Sequence, residues 1–216
     1  MLKDILDKLK EKYHQRLGLR SLHRSEYIKA HYHFEKILKI NNSYLNYFYY
    51  SVVLIALNRQ EQAITYLEKI IDTHSEDILI AVTLAECYMV VREWAKAEDL
   101  LTYLNKKFPN NTTVKFLFET CKNTISREKY ACGKEYFIKA KNNTDIKDFD
   151  AALEDINKAI ELNEANASYY FYAGYIALQG KKNKEQVEAY FENAVFLAPQ
   201  NESFKKQLQY VKTRYR

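Results

Sequence analysis

Four of the five histidines, His14, His23, His31 and His33, fall early in the chain. Histidine is the side chain best suited near neutral pH to bind a transition metal or carry a proton. His31 and His33 are two residues apart, so a helix sends them to different faces. A metal shared on one helix needs ligands three or four apart. They are read as solvated or interfacial groups. The three cysteines, Cys87, Cys121 and Cys132, are odd in number and match no zinc or redox spacing. They are expected to be reduced thiols, two of them on apolar helical patterns, in an intracellular, cytoplasmic protein. The carboxylate pairs Asp145/Asp148 and Glu185/Glu188 have no accompanying base, nucleophile or glycine-rich loop. The expectation is therefore a non-enzymatic chain with no catalytic residues, no metal and no cofactor.

The elements around these residues are helical by pattern. Only 4 Gly and 2 Pro occur in 216 residues, too few for a loop-rich or all-β chain. Tyr is abundant, with 19 copies; its apolar ring and polar tip suit half-wet interfaces. The net charge of +5 is concentrated at the two ends, leaving the middle acidic. That distribution is weaker than the basic stripe of a nucleic-acid binder. No run approaches the ~18 apolar residues of a membrane span, and the N-terminus lacks a signal-peptide core. Residues 110–112 and 166–168 spell Asn-x-Ser/Thr, read here as chance occurrences in an Asn-rich chain.

A repeat organises the pattern. Ala63 is followed by Leu67 and Ile70, and a shift of 34 gives Ala97, Leu101 and Leu104. A shift of 33 in the other direction gives Ala30, Phe34 and Ile37. Ala152, Ile156 and Ala159 continue the series, as do Val187, Phe191 and Ala194. Positions four and seven residues on mark one helical face. Twelve residues earlier stands a small residue: Gly18, Ser51 or Ala85, with Gly174 thirteen before Val187. Small residues on facing helices allow close approach, so each unit is predicted to be a tight antiparallel hairpin pinned at small-on-small contacts. Pro109 and Pro199 mark exits into the next unit.

These residues resemble the tetratricopeptide repeat, whose signature is Trp-x2-Leu-Gly-x2-Tyr, then Ala-x3-Phe, then Pro. Residues 81–88 (AVTLAECY) fit its first half, with Ala81 in place of Trp; residues 148–167 fit the second half, and 169–180 the first half again. The resemblance covers about residues 11–111 and 126–200. It implies an all-α fold, a tetratricopeptide-type α-solenoid of antiparallel helical hairpins, with about five repeats plus capping helices. The interval from Ala97 to Ala152 is too long for one repeat. A lone solvating helix over 112–124 is expected there, then a first helix over 126–140 with Gly133 at the close approach, then a loop over 141–147. Two domains follow: 1–124 with three repeats, and 125–216 with two repeats and a final capping helix over 202–216. Residues 2–10 are predicted to form a short amphipathic helix on Leu2, Ile5, Leu6 and Leu9, either capping the end or blocking the groove.

In that family the first helices line a concave surface that takes peptides. The resemblance therefore implies a protein-binding scaffold or adaptor that holds an extended or helical segment of a protein partner. The candidate groove residues are Leu45, Phe48, Val52 and Ile55 in the second repeat. In the third they are Val82, Glu86 and Met89, beside Leu79. In the last they are Phe171, Tyr172, Tyr175 and Leu178. The same residues could instead pack between neighbouring repeats. Glu86, Lys134 and Gln179 are the polar positions expected to select sequence. The carboxylate clamp of some co-chaperone relatives is missing, since Gln15, Leu19, Phe48 and Val52 stand at the comparable face. Two alternatives are a self-assembling homo-oligomer and a secretion-type chaperone for apolar client segments. RNA binding would require basic first helices, which the second repeat lacks. No nucleic acid and no membrane insertion are expected.

Overall fold

The structure, a computed structural model, describes residues 2–74 and 76–215, without the side chain of Leu2. Every regular element among them is an α-helix, and none is long and apolar enough to cross a membrane. The chain divides into two compact units, Met1–Lys122 and Asn123–Arg216.

The first unit holds α1 (Leu2–His23), α2 (Tyr27–Leu38), α3 (Tyr44–Ala56), α4 (Gln60–Ile71), α5 (Ile78–Val90), α6 (Trp94–Lys107) and α7 (Thr112–Lys122). The second holds α8 (Thr124–Asp145), α9 (Phe149–Leu162), α10 (Ala167–Gln179), α11 (Lys184–Leu197) and α12 (Glu202–Arg214). Within each unit a helix packs chiefly on the next in sequence, the arrangement of stacked hairpins. The second-helix positions named by the repeat are all buried: Ala30, Phe34 and Ile37; Ala63, Leu67 and Ile70; Ala97, Leu101 and Leu104; Ala152, Ile156 and Ala159; Val187, Phe191 and Ala194.

Two kinds of joint alternate. Inside each hairpin the turn carries one residue in the left-handed region: Ser25, Asn58, Arg92, Lys147 or Lys181, with φ between 52° and 65°. The next residue donates its N–H back to a carbonyl five positions earlier, as in Glu26 to Ser21 (2.8 Å), Glu93 to Tyr88 (2.9 Å) and Asp148 to Asn143 (2.9 Å). This is the Schellman closure, which satisfies carbonyls at a helix end. Glycine is its usual residue, and its absence hid these turns from the sequence reading. Between hairpins a side chain caps the incoming helix, a device that α9 and α11 also use inside their hairpins through Asp148 and Asn183. Ser43, Asp77, Asn111, Asn166 and Asn201 accept backbone N–H bonds of 3.0–3.4 Å from the first turn that follows. Asn166, flagged as a sequon, is thus an N-cap, a role that Asn fills well.

Three expectations change. Residues 141–147 do not form a loop, because α8 runs on to Asp145. The side chains there find partners that support the helix: Thr144 Oγ1 donates to the Ala140 carbonyl (2.7 Å), and Asn143 Nδ2 donates to Asp155 on α9 (2.9 Å). The close-approach residue of this hairpin is consequently Ala140, twelve before Ala152 and buried with it, not Gly133. Gly133 lies at the far end of α9, where an added Cβ would sit 3.6 Å from Leu162 in ordinary contact. Residues 2–10, finally, are the N-terminal part of α1 rather than a separate helix. Ile5, Leu6 and Leu9 are exposed, so this segment neither caps its unit nor blocks a groove within it.

The contacts at the small positions are also not small-on-small throughout. A Cβ on Gly18 would meet the Phe34 ring at 2.9 Å, and one on Gly174 would meet the Phe191 ring at 2.9 Å. Gly pairs with Phe four residues past the second-helix small position. Ala85 and Ala140 belong to hairpins with Leu101 and Ile156 there. In the Ser51 hairpin, with Leu67, the Ser51 hydroxyl donates to the Tyr47 carbonyl (2.8 Å). The volume between the two helices is thus divided differently from hairpin to hairpin.

Candidate functional site

The first helices offer the apolar surface that the repeat predicts, though not with every residue named. Helix α3 contains no charged residue, and α5 contains only Glu86. Each is apolar on more sides than one hairpin partner can cover. On α3, Leu45 is exposed, Val52 and Ile55 are half-buried, and Phe48 is only 9% exposed. On α5, Leu79 is exposed and Val82 and Glu86 are half-buried, whereas Met89 is fully buried. Met89 is therefore a packing residue rather than a surface one. Phe48 presents an edge at most.

In the second unit the structure gathers aromatic rings from α8 and α10. Tyr172 stacks against Tyr175 (centroids 5.9 Å) and meets Phe137 edge-on (5.2 Å); Phe137 stacks on the buried Tyr169 (5.2 Å). Rings at such spacing prefer offset or edge-to-face geometry, which holds them rigid. Tyr175 is the exposed end of this cluster, and Leu178 is half-buried one turn on. Phe171 belongs elsewhere: it stacks on Phe204 of α12 at 4.4 Å and meets Phe191 edge-on, so it joins α10, α11 and α12. Phe137 was missed by the sequence reading because the hairpin register had been set on Gly133.

Of the polar positions, Lys134 Nζ lies 5.3 Å from the Tyr130 ring centroid, and Gln179 is exposed at the end of α10. On a second helix, Glu68 accepts both the Tyr88 hydroxyl (2.8 Å) and Lys96 Nζ (3.1 Å). Burial, then this carboxylate, pushes the Tyr88 phenol well above its ordinary range. These groups tie α4, α5 and α6 together and hold no reactive pair.

The histidines pack across helices. His14 and His33 face each other with Nδ1 atoms 3.0 Å apart, so one ring donates and the other accepts. His31 Nε2 lies 3.0 Å from the Tyr50 hydroxyl and 3.3 Å from Arg59 Nη1. A guanidinium can only donate, so Nε2 is the acceptor and His31 is neutral. Desolvation lowers the affinity of both His31 and His33 for a proton, assisted by Arg59 and by His14 respectively. Among the described residues no group of three or more His, Cys, Asp or Glu is gathered for a metal ion. Cys87 and Cys121 are buried and Cys132 is half-buried. Asp148 is the N-cap of α9, accepting from the Ala151 N–H (3.2 Å), and Glu188 pairs with Lys184 (3.7 Å).

Register, small-residue positions and joints together define a chain of stacked antiparallel helical hairpins, the fold that the tetratricopeptide resemblance implies. No protein-family model matches it, and no curated protein matches it. Solved structures do align along most of its length. MamA (residues 41 to the end) from Desulfovibrio magneticus RS-1 is 14% identical over 89% of this chain and 97% of its own, with a TM-score of 0.48. The TPR domain of P58(IPK) is 16% identical over 93% of this chain and 54% of its own, at 0.45. Cut9, in the APC/C Cut9-Hcn1 hetero-tetramer, is 12% identical over 90% and 41%, at 0.46.

Proposed function

We propose that this chain is a non-enzymatic scaffold that holds an apolar extended or helical segment of a partner protein against its first helices. The observation that supports it is the side of α3 and α5 left uncovered by their hairpin partners. It presents Leu45 and Leu79 exposed and Val52, Ile55 and Val82 half-buried, with Glu86 as its charged member. A stripe of this kind on helices one hairpin apart suits a segment read through apolar anchors, as in helix-in-groove recognition. Rigid Tyr and Phe side chains, such as Tyr172 and Tyr175 in the second unit, give contact area at low entropic cost.

Affinity capture tests this reading with wild type beside Leu45→Glu/Leu79→Glu, at exposed positions where folding tolerates charge. Tyr103→Glu, exposed on the second helix α6, is the control. A partner retained by wild type and by Tyr103→Glu but lost from the double variant supports the first-helix surface. Equal retention by all three refutes it, and recovery of the chain alone points to self-association.

A further inference from the structure

We propose that the exposed face of α1 docks on an anionic lipid bilayer surface, lying along it rather than crossing it. Antiparallel register is the starting point. Gly18 sits on Phe34, and Glu11 accepts from Asn41 Nδ2 (2.7 Å), which already lies past the last residue of α2, Leu38. Residues 2–10 therefore project beyond their hairpin partner. On this segment and the turn after it, Ile5, Leu6, Leu9 and Tyr13 form one apolar stripe at helical spacing, exposed by 52, 48, 60 and 61%. Elsewhere in the chain, large exposed apolar residues come one or two to a helix.

Charge is sorted around this stripe. At 100° per residue, Lys3 and Lys10 border it on one side and Lys8 and Lys12 on the other, and Arg16 follows at its C-terminal end; all five are exposed. None of them forms an ion pair among the described residues, so their charges are available to a ligand. The acids lie on the opposite arc: Glu11 is held by Asn41 and Asn46, and Asp7 is half-buried beside it. An apolar stripe flanked on both sides by free cations, with acids turned away, is the pattern of an interfacial helix. The long lysine stems let the charges reach phosphates while the stripe enters the acyl boundary. The projecting segment is a ridge. A soft lipid surface receives a ridge directly, while a protein partner would need an acidic-walled groove matched to it. Each cation near an anionic surface strengthens binding about fivefold.

The test is sedimentation of the full chain with vesicles of phosphatidylcholine alone and of phosphatidylcholine with about 30% phosphatidylserine, a surface of the required charge. Wild type is expected in the pellet only with the anionic vesicles, and to be released by high salt. Lys8→Ala/Lys12→Ala should bind roughly thirtyfold more weakly. Leu6→Glu/Leu9→Glu, shown to be folded by circular dichroism, should not bind. Absence of wild type from the anionic pellet overturns the proposal, as does equal binding by Leu6→Glu/Leu9→Glu. Self-association or retention of an acidic protein through this face, without vesicle binding, assigns it to a second copy or to a protein partner and also overturns the lipid reading. None of these outcomes bears on the α3 and α5 surface.

Discussion

Two glycines of the second unit should respond to alanine with opposite signs. Gly174 lies under the Phe191 ring, and an added Cβ would sit 2.9–3.0 Å from three ring carbons. Phe191 is fully buried and held edge-on by Phe171, so the ring has no room to yield. Overpacking of this kind costs about 1–3 kcal/mol. Replacing Gly in a helix returns about 1 kcal/mol, so Gly174→Ala should lose roughly 1 kcal/mol net. At Gly133 the nearest atoms to the new Cβ are 3.6 Å away. Only the propensity term acts there, and Gly133→Ala should gain up to about 1 kcal/mol. Urea unfolding of the full chain, followed by circular dichroism, reads both. The third arm is Gly174→Ala/Phe191→Leu, which installs the Ala-with-Leu pairing of the α5–α6 hairpin. Truncating Phe191 alone opens a cavity, and the new methyl then helps to fill it, so the double variant should be more stable than the sum of the single effects. Additive effects, or a Gly174→Ala variant as stable as wild type, would refute the idea that volume is traded across this contact.

Other consequences can be checked singly. Lys147→Gly and Lys181→Gly should each stabilise the chain by up to about 1 kcal/mol in urea unfolding, because a left-handed conformation costs a β-carbon residue about 1–2 kcal/mol. His31 and His33 have folded-state proton affinities below the ordinary value, so their contribution is present above about pH 6.5 and lost as pH falls through the lowered values. The urea midpoint should therefore drop between about pH 7.5 and about pH 5.5, and drop less in His31→Asn/His33→Asn. In the native chain Cys132 should react with a thiol reagent ahead of the buried Cys87 and Cys121, which should react only on unfolding.

Much of the fold was legible because each second helix spells one buried face at a fixed period. Where the reading failed, local composition had competed with tertiary contacts. Residues 141–147 contain two Asn, a Thr and three charged residues that could reach solvent, and they read as a loop. In the structure α9 supplies the partner for Asn143, and Thr144 bonds within its own helix, so both polar side chains are satisfied without leaving the helix. The surface was less legible than the fold. Apolar residues on α3, α5 and α10 share one periodicity whether they cover a neighbour or stand open, so Met89 and Phe171 could not be told apart from Val82 and Tyr175 by spacing alone. Burial distinguishes them, and burial depends on helices remote in sequence.

The error at Gly133 shows which feature of a helical hairpin sets its register. Counting from a glycine assumes that the smallest residue marks the closest approach. Counting from the turn does not: Ser25, Asn58, Arg92 and Lys147 each stand five residues before the second-helix alanine, and Lys181 stands six before Val187. On that ruler the small position of the fourth hairpin is Ala140, and the 55 residues between Ala97 and Ala152 contain the lone helix α7 and then the start of a normal hairpin entered by a longer first helix. The extra length then lies at the N-terminal end of α8, as it does in α1; both helices have 22 residues and both open a unit. Beyond the reach of their partners these ends differ. Helix α1 sets its stripe of Ile5, Leu6, Leu9 and Tyr13 toward solvent, whereas α8 buries Tyr130 and Ala131 and exposes Ile125 alone among its large apolar residues. Extension of the opening helix is thus shared by the two units, and the solvent-facing apolar stripe belongs to the first.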